Sequence, residues 1–283
     1  MIIRLSPSFR PMVWGSENWV ISGYSERETV VADGPFAGKT LNEVYGGQFP
    51  LLIKFIDARQ DLSIQVHPDD ALAAKRGIGL GKTEMWYIMN DGGNLLVGLK
   101  EQVSPSDYAS LVKENRLVDV LERHYTRKGD VFFLPAGRIH AICGGTVLCE
   151  IQETSDNTYR IYDYNRPGLD GKPRQLHIEE SKDAIDYKVY PSYRTDYPQD
   201  KNREVVVVRD PHFTTSVFDL DRPLSVDMEG RGRFLAVMCV SGSGSVDGVA
   251  VSEGEALLVL DQKEPVVLAP AEGSAVKFLT SYE

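Results

Sequence analysis

The stretch LSIQVHP at 62–68 sets apolar Leu62, Ile64 and Val66 against polar Ser63, Gln65 and His67 in strict alternation. A period of two is the mark of a β-strand, because side chains at i and i+2 share a face. One face is therefore apolar, and the other carries Gln65 and His67 together. Similar short runs recur along most of the chain: LLIKFIDA (51–58), MWYIMN (85–90), NLLVGL (94–99), GDVFFLPAGRIHAI (129–142) and TVLCEIQET (146–154). Gly, Pro, Asn and Asp separate them, with Asp91-Gly92-Gly93 a turn between two of the strands. From Val205 onward the strand-like runs resume with no helical interruption, through RFLAVMCVSGSGSV to SAVKFLT.

Two helical patches interrupt this pattern. One is 69–76. The other is SPSDYASLVKENRLVDVLERHY (104–125), with Ser104 suited to the cap and Pro105 to the first turn. Its stripe of Leu111, Val112, Val118, Val120 and Leu121 is imperfect, and His124 reads as a packing or surface histidine. The segment 186–204 is polar and rich in Tyr and Pro, the composition of a linker or wrapping loop. The expectation is a mainly β protein with three parts. Residues 1–185 form a catalytic domain with a small helical insertion near 104–125, 186–204 a linker, and 205–283 a second β-domain.

The 283 residues carry a formal net charge of −10. That balance argues against a duplex nucleic-acid partner, which would need a basic patch. It leaves room for a small phosphorylated ligand, held by a local cluster of Lys and Arg. No run of eighteen apolar residues offers a membrane span. MIIRLSPSFRPMVW lacks the apolar core and cleavage site of a signal peptide. The three cysteines, Cys143, Cys149 and Cys239, have no metal-ligand spacing and suit buried positions in a reducing compartment. The expected location is the cytoplasm, as a monomer or homodimer.

The run GIGLGKTEMWYI (77–88) contains the Gly-Lys-Thr of a phosphate-binding P-loop. The spacing G-x-x-x-x-G-K-[ST] would place the first glycine at 76, which is Arg76. The flanks are also reversed, helix before and strand after, so nucleotide binding is rejected. On the strand instead, Lys82 and Glu84 alternate onto one face.

A second spacing is more specific. Gly129-x5-Pro135-x-Gly137-x2-His140 resembles the second motif of cupin barrels, in which the histidine points inward to a metal. Gln65-x-His67 followed by Glu84 resembles the first cupin motif, with Gln in place of the first histidine and a longer gap before the Glu. A divalent metal needs three or four N/O ligands converging from different strands, and Gln65, His67, Glu84 and His140 fit that plan. Two His, one Glu and a Gln oxygen leave a position open for substrate, as a catalytic site requires. Zinc is the expected metal. Fe(II) also suits two His and one carboxylate.

LLIKFIDARQDLSIQVHPDD, GKTEMWYIM, LPAGRIHAI and EIQETSDNTYRIYDYNR together resemble the type I mannose-6-phosphate isomerases, in their short bacterial form. The resemblance is specific from about Trp14 to Arg166 and weaker beyond. It implies two cupin-like jelly-roll barrels, the second without metal, and one zinc per chain at Gln65, His67, Glu84 and His140. It implies interconversion of mannose 6-phosphate and fructose 6-phosphate through a cis-enediol. It also implies catalytic roles for Arg160, Lys82 and Glu150. Candidates for binding the substrate are Lys54, Ser63 and Arg138, and those for its phosphate are Arg138, Lys82 and Ser63. Trp14-Gly15-Ser16 departs from the family's Trp-Gly-Gly, and the long helical domain of the larger enzymes is missing. Two alternatives stay open: an Fe(II) or Mn(II) cupin oxygenase, and a sugar-binding cupin without turnover.

Overall fold

The computed structural model describes Met1–Glu283. The protein is mainly β: 22 strands carry it, and the α-helices Leu41–Tyr45, Asp70–Arg76, Pro105–Lys113 and Ile178–Ala184 are all short. No helix is long and apolar enough to cross a membrane. Each path of paired strands has two ends, so the sheets are open.

The chain divides into two compact units, and neither is continuous in sequence. One comprises Met1–Ser8, Asn18–Phe55 and Asp196–Glu283; the other comprises Phe9–Glu17 and Ile56–Thr195. This differs from the continuous parts expected with boundaries at 185 and 205. The cause is long-range pairing: strand Ile2–Ser6 runs antiparallel to Ala256–Leu260, with Ile2 opposite Val259. The amino-terminal strand thereby joins the carboxy-terminal ones. That unit has its own apolar core, including Phe218, Leu235, Val237, Leu257 and Phe278.

The second unit is built on two runs of strands. The first orders Tyr159–Tyr162, Ile64–Val66, His140–Ile142, Asn94–Leu99 and Leu121–Tyr125. The second orders Arg194–Thr195, Val131–Leu134, Glu84–Ile88 and Thr146–Glu153. Alternation splits the side chains of the first sheet between two clusters. Ile64, Val66, Leu96, Ile139 and Ala141 face Tyr108, Leu117 and Ile185. Leu95, Val97 and Ile142 face Trp86, Ile88, Phe132 and Leu148 from the other sheet. Leu62 departs from the expected alternation and packs in the second cluster, because it precedes the paired strand Ile64–Val66.

The glycine-rich run is explained by packing. Asp69 caps helix Asp70–Arg76 by accepting from Leu72 N–H at 2.7 Å, and Gly77 ends it in the left-handed region at φ +66°. Gly81 then lies against the helix start, where a Cβ would come within 2.5 Å of Asp70 N. Its N–H donates to Asp70 Oδ1 at 2.8 Å, so the P-loop resemblance has a structural use and no phosphate is needed.

The helix expected over 104–125 is shorter. Pro105–Lys113 is helical and doubly capped by Ser104 and Asp107, Leu117–Val120 is a 3-10 turn, and Leu121–Tyr125 is a strand. Asn115 at φ +56° breaks the helix, and the following residues gain more by pairing with Asn94–Leu99. His124 therefore lies on a strand, half-buried, with Nε2 3.2 Å from the Val97 carbonyl.

Candidate metal centre

The apolar interior between the two sheets gives way to polar side chains toward one end. On Glu84–Ile88, alternation puts Glu84 on the face of Trp86 and Ile88. Across that face Ile88 pairs with Leu148, Trp86 with Glu150 and Glu84 with Gln152. The opposing sheet brings Gln65 directly across from His140. The turn Pro135–Gly137 delivers His140 to its strand. Gly137 holds φ +87°, a Cβ there would lie 2.9 Å from the Ala184 carbonyl, and its N–H donates to the His67 carbonyl at 2.9 Å. Glycine is needed at that turn on both counts.

His67, Glu84 and His140 converge, with their ligand atoms within 4.8 Å of one another and all three buried. His67 Nδ1 lies 2.7 Å from the Asn157 carbonyl and His140 Nδ1 lies 2.8 Å from the Arg138 carbonyl. A carbonyl only accepts, so each Nδ1 is the donor and each ring turns its Nε2 inward. Burial drives the His140 pKa down to about 4, the bond to the Arg138 carbonyl opposing and the Lys82 charge assisting, so this ring is neutral at neutral pH. His140 Nε2 then faces Glu84 Oε1 at 3.2 Å, and His67 Nε2 faces Glu84 Oε2 at 3.5 Å. At Oε1 the neutral His140 ring and the Glu84 carboxylate meet as acceptor against acceptor, a conflict that a shared divalent cation removes. The donor set fits a metal.

Gln65 sits at the rim of this set. Its amide Nε2 is 3.2 Å from His140 Nε2, and Ser63 Oγ donates to its Oε1 at 3.4 Å. Turning the amide over puts Oε1 beside His140 in a ligand's orientation. Lys82 lies just before the strand rather than on it, and its Nζ is 2.7 Å from Glu84 Oε2. Glu150 is buried, and its Oε2 accepts from Trp86 Nε1 at 2.9 Å.

Arg160 is the cross-strand neighbour of Gln65. Its NH1 donates to the Gln175 carbonyl at 3.1 Å, while its buried Nε has no hydrogen-bond acceptor. Arg138 is buried with its guanidinium 4.2 Å from the Tyr190 ring centre and 4.7 Å from that of Tyr193. Lys54 belongs to the other unit, is 3 % exposed, and lies over the Trp19 ring at 5.2 Å. The anchors that sequence patterns miss are the carbonyls of Asn157 and Arg138, since a backbone oxygen leaves no trace in residue identity.

Residues 15–90 match the family model for the catalytic domain of type I phosphomannose isomerase. The mannose-6-phosphate isomerase of Streptococcus mutans is 31% identical, over 86% of this chain and 82% of that protein. The mannose-6-phosphate isomerase ManA of Bacillus subtilis is 29% identical, over 84% of this chain and 85% of its own. A crystal structure of the mannose 6-phosphate isomerase from Bacillus subtilis superposes with a TM-score of 0.89 at 26% identity, covering 100% of this chain and 99% of that one.

Proposed function

The chain belongs to the family of type I mannose-6-phosphate isomerases, and on that premise we propose that it interconverts mannose 6-phosphate and fructose 6-phosphate through a cis-enediol, with one zinc per chain. The observation that carries the proposal is the convergence of His67, Glu84 and His140, with Lys82 on the same carboxylate. His67, Glu84 and His140, with the Gln65 oxygen, would hold the metal. Bound zinc supplies Lewis-acid polarisation of the sugar oxygens. The same reading treats this centre as the pocket of a cupin-like barrel and the carboxy-terminal strands as a second, metal-free one. It assigns the enzyme to the cytoplasm, where its three buried thiols stay reduced.

Going from aldose to ketose, a proton leaves C2 and one arrives at C1, while O2 gives up its proton and O1 gains one. Glu150 is assigned to this transfer. Its carboxylate is buried and oriented by the indole N–H of Trp86. Arg160 stabilises negative charge on the enediolate oxygens, for which its buried Nε–H offers a donor without a competing acceptor. Lys82 and Ser63 bind substrate oxygens beside the metal ligands, with Arg138 as a further candidate, whereas Lys54 packs over Trp19 within the other unit. Replacing Arg160 by Ala is expected to leave the metal content unchanged and lower turnover by about three orders of magnitude. Near-normal turnover in that variant would remove Arg160 from the mechanism.

A further inference from the structure

Arg160 lies on Tyr159–Tyr162, the strand at one end of its sheet. Within an antiparallel strand the N–H and C=O of one residue point to the same side. At Arg160 that side is the open edge, where no further strand pairs. A single residue meets both groups: Arg160 N–H donates to His177 Nδ1 at 3.2 Å, and His177 N–H donates to the Arg160 carbonyl at 2.7 Å. Two residues earlier, the Gln175 carbonyl holds the Arg160 guanidinium. The catalytic candidate is thus fixed at backbone and side chain by residues 175–177.

We propose that His177 is a positioning residue for Arg160, standing in for a missing edge strand through a deprotonated Nδ1. The proposal rests on the reading of Arg160 as the catalytic guanidinium. His177 precedes helix Ile178–Ala184, yet its side chain makes no cap hydrogen bond to that helix. The side chain is committed to Arg160 instead. Burial lowers the pKa of His177, Glu180 opposing and the Arg160 charge assisting, which keeps Nδ1 an acceptor at neutral pH. The intervening loop is closed at its base, since Asp163 accepts from Arg166 and from Arg174, and Gly168 N–H donates to the Lys172 carbonyl at 2.7 Å. That closure returns the chain to Gln175 in register with Arg160.

The test compares His177→Ala, His177→Asn and His177→Gln, each alone and with Arg160→Ala, measuring kcat, KM and bound metal. Asn places Oδ1 close to where Nδ1 accepts; Gln carries its amide one carbon too far. The expected result is a kcat lowered about 10- to 100-fold in the Ala and Gln variants, KM within about threefold of wild type, and most of kcat restored by Asn. Metal content is unchanged, and no His177 variant lowers the residual rate of Arg160→Ala further. If Asn is no better than Gln, or the loss persists equally in the Arg160→Ala background, His177 does not act through Arg160. Should His177→Ala fail to fold, the Asn and Gln pair decides alone. Near-normal turnover of Arg160→Ala itself would instead overturn the reading beneath the proposal, and the proposal with it.

Discussion

At His67 and His140 the ring nitrogen facing away from the centre decides what the other one does. Each Nδ1 is held by a carbonyl, so each Nε2 is aimed inward before any cation arrives. Removing one imidazole leaves too few donors, so His140→Ala is expected to weaken divalent-metal binding at least about 100-fold, measured by competition with a chromophoric chelator. Unchanged affinity would take His140 out of the ligand set. The residues of this centre were legible because strand alternation and the Gly-Pro-Gly-His spacing act on side-chain identity. Alternation set Gln65 and His67 on one face, and the structure brings Gln65 across from His140. His177 was not legible: a lone histidine after a polar loop shows no sign that its partner is a backbone N–H seventeen residues earlier.

At the scale of elements, the loop between strand Tyr159–Tyr162 and helix Ile178–Ala184 depends on one carboxylate. Asp163 is buried, and both Arg166 and Arg174 donate to it. Burial alone would raise its pKa, but the hydrogen bonds from the two arginines outweigh this and the net shift is downward. A carboxylate with a lowered folded-state pKa contributes stability above its unfolded value, and that contribution is lost as pH falls through the folded value. Asp163→Asn is therefore expected to cost roughly 2 kcal/mol at pH 7. The difference from wild type should shrink below about pH 4, as followed by denaturant unfolding. A cost independent of pH would contradict the ionic account. Helix limits were partly legible. Asp69 and Gly77 bracket Asp70–Arg76 as their types suggest, whereas Leu121–Tyr125 reads as helix until Asn94–Leu99 is there to pair with it.

For the whole molecule, the mainly β character followed from alternation and turn residues, but the division into units did not. Residues 2 and 259 meet across a strand pair, and nothing local to Ile2 announces that partner. The formal net charge of −10 is likewise a poor guide to the site. Arg160, Arg166 and Arg174 gather around Asp163, with Asp156 also acting on Arg160. The proposed isomerisation of mannose 6-phosphate depends on a metal held by His67, Glu84 and His140. The most direct measurement follows fructose 6-phosphate formation by coupled reduction, with protein as purified, after chelation, and after adding zinc back. Turnover is expected to fall on chelation and to return with zinc. Turnover that survives complete removal of the metal, or none at all from protein carrying zinc, would contradict the proposal.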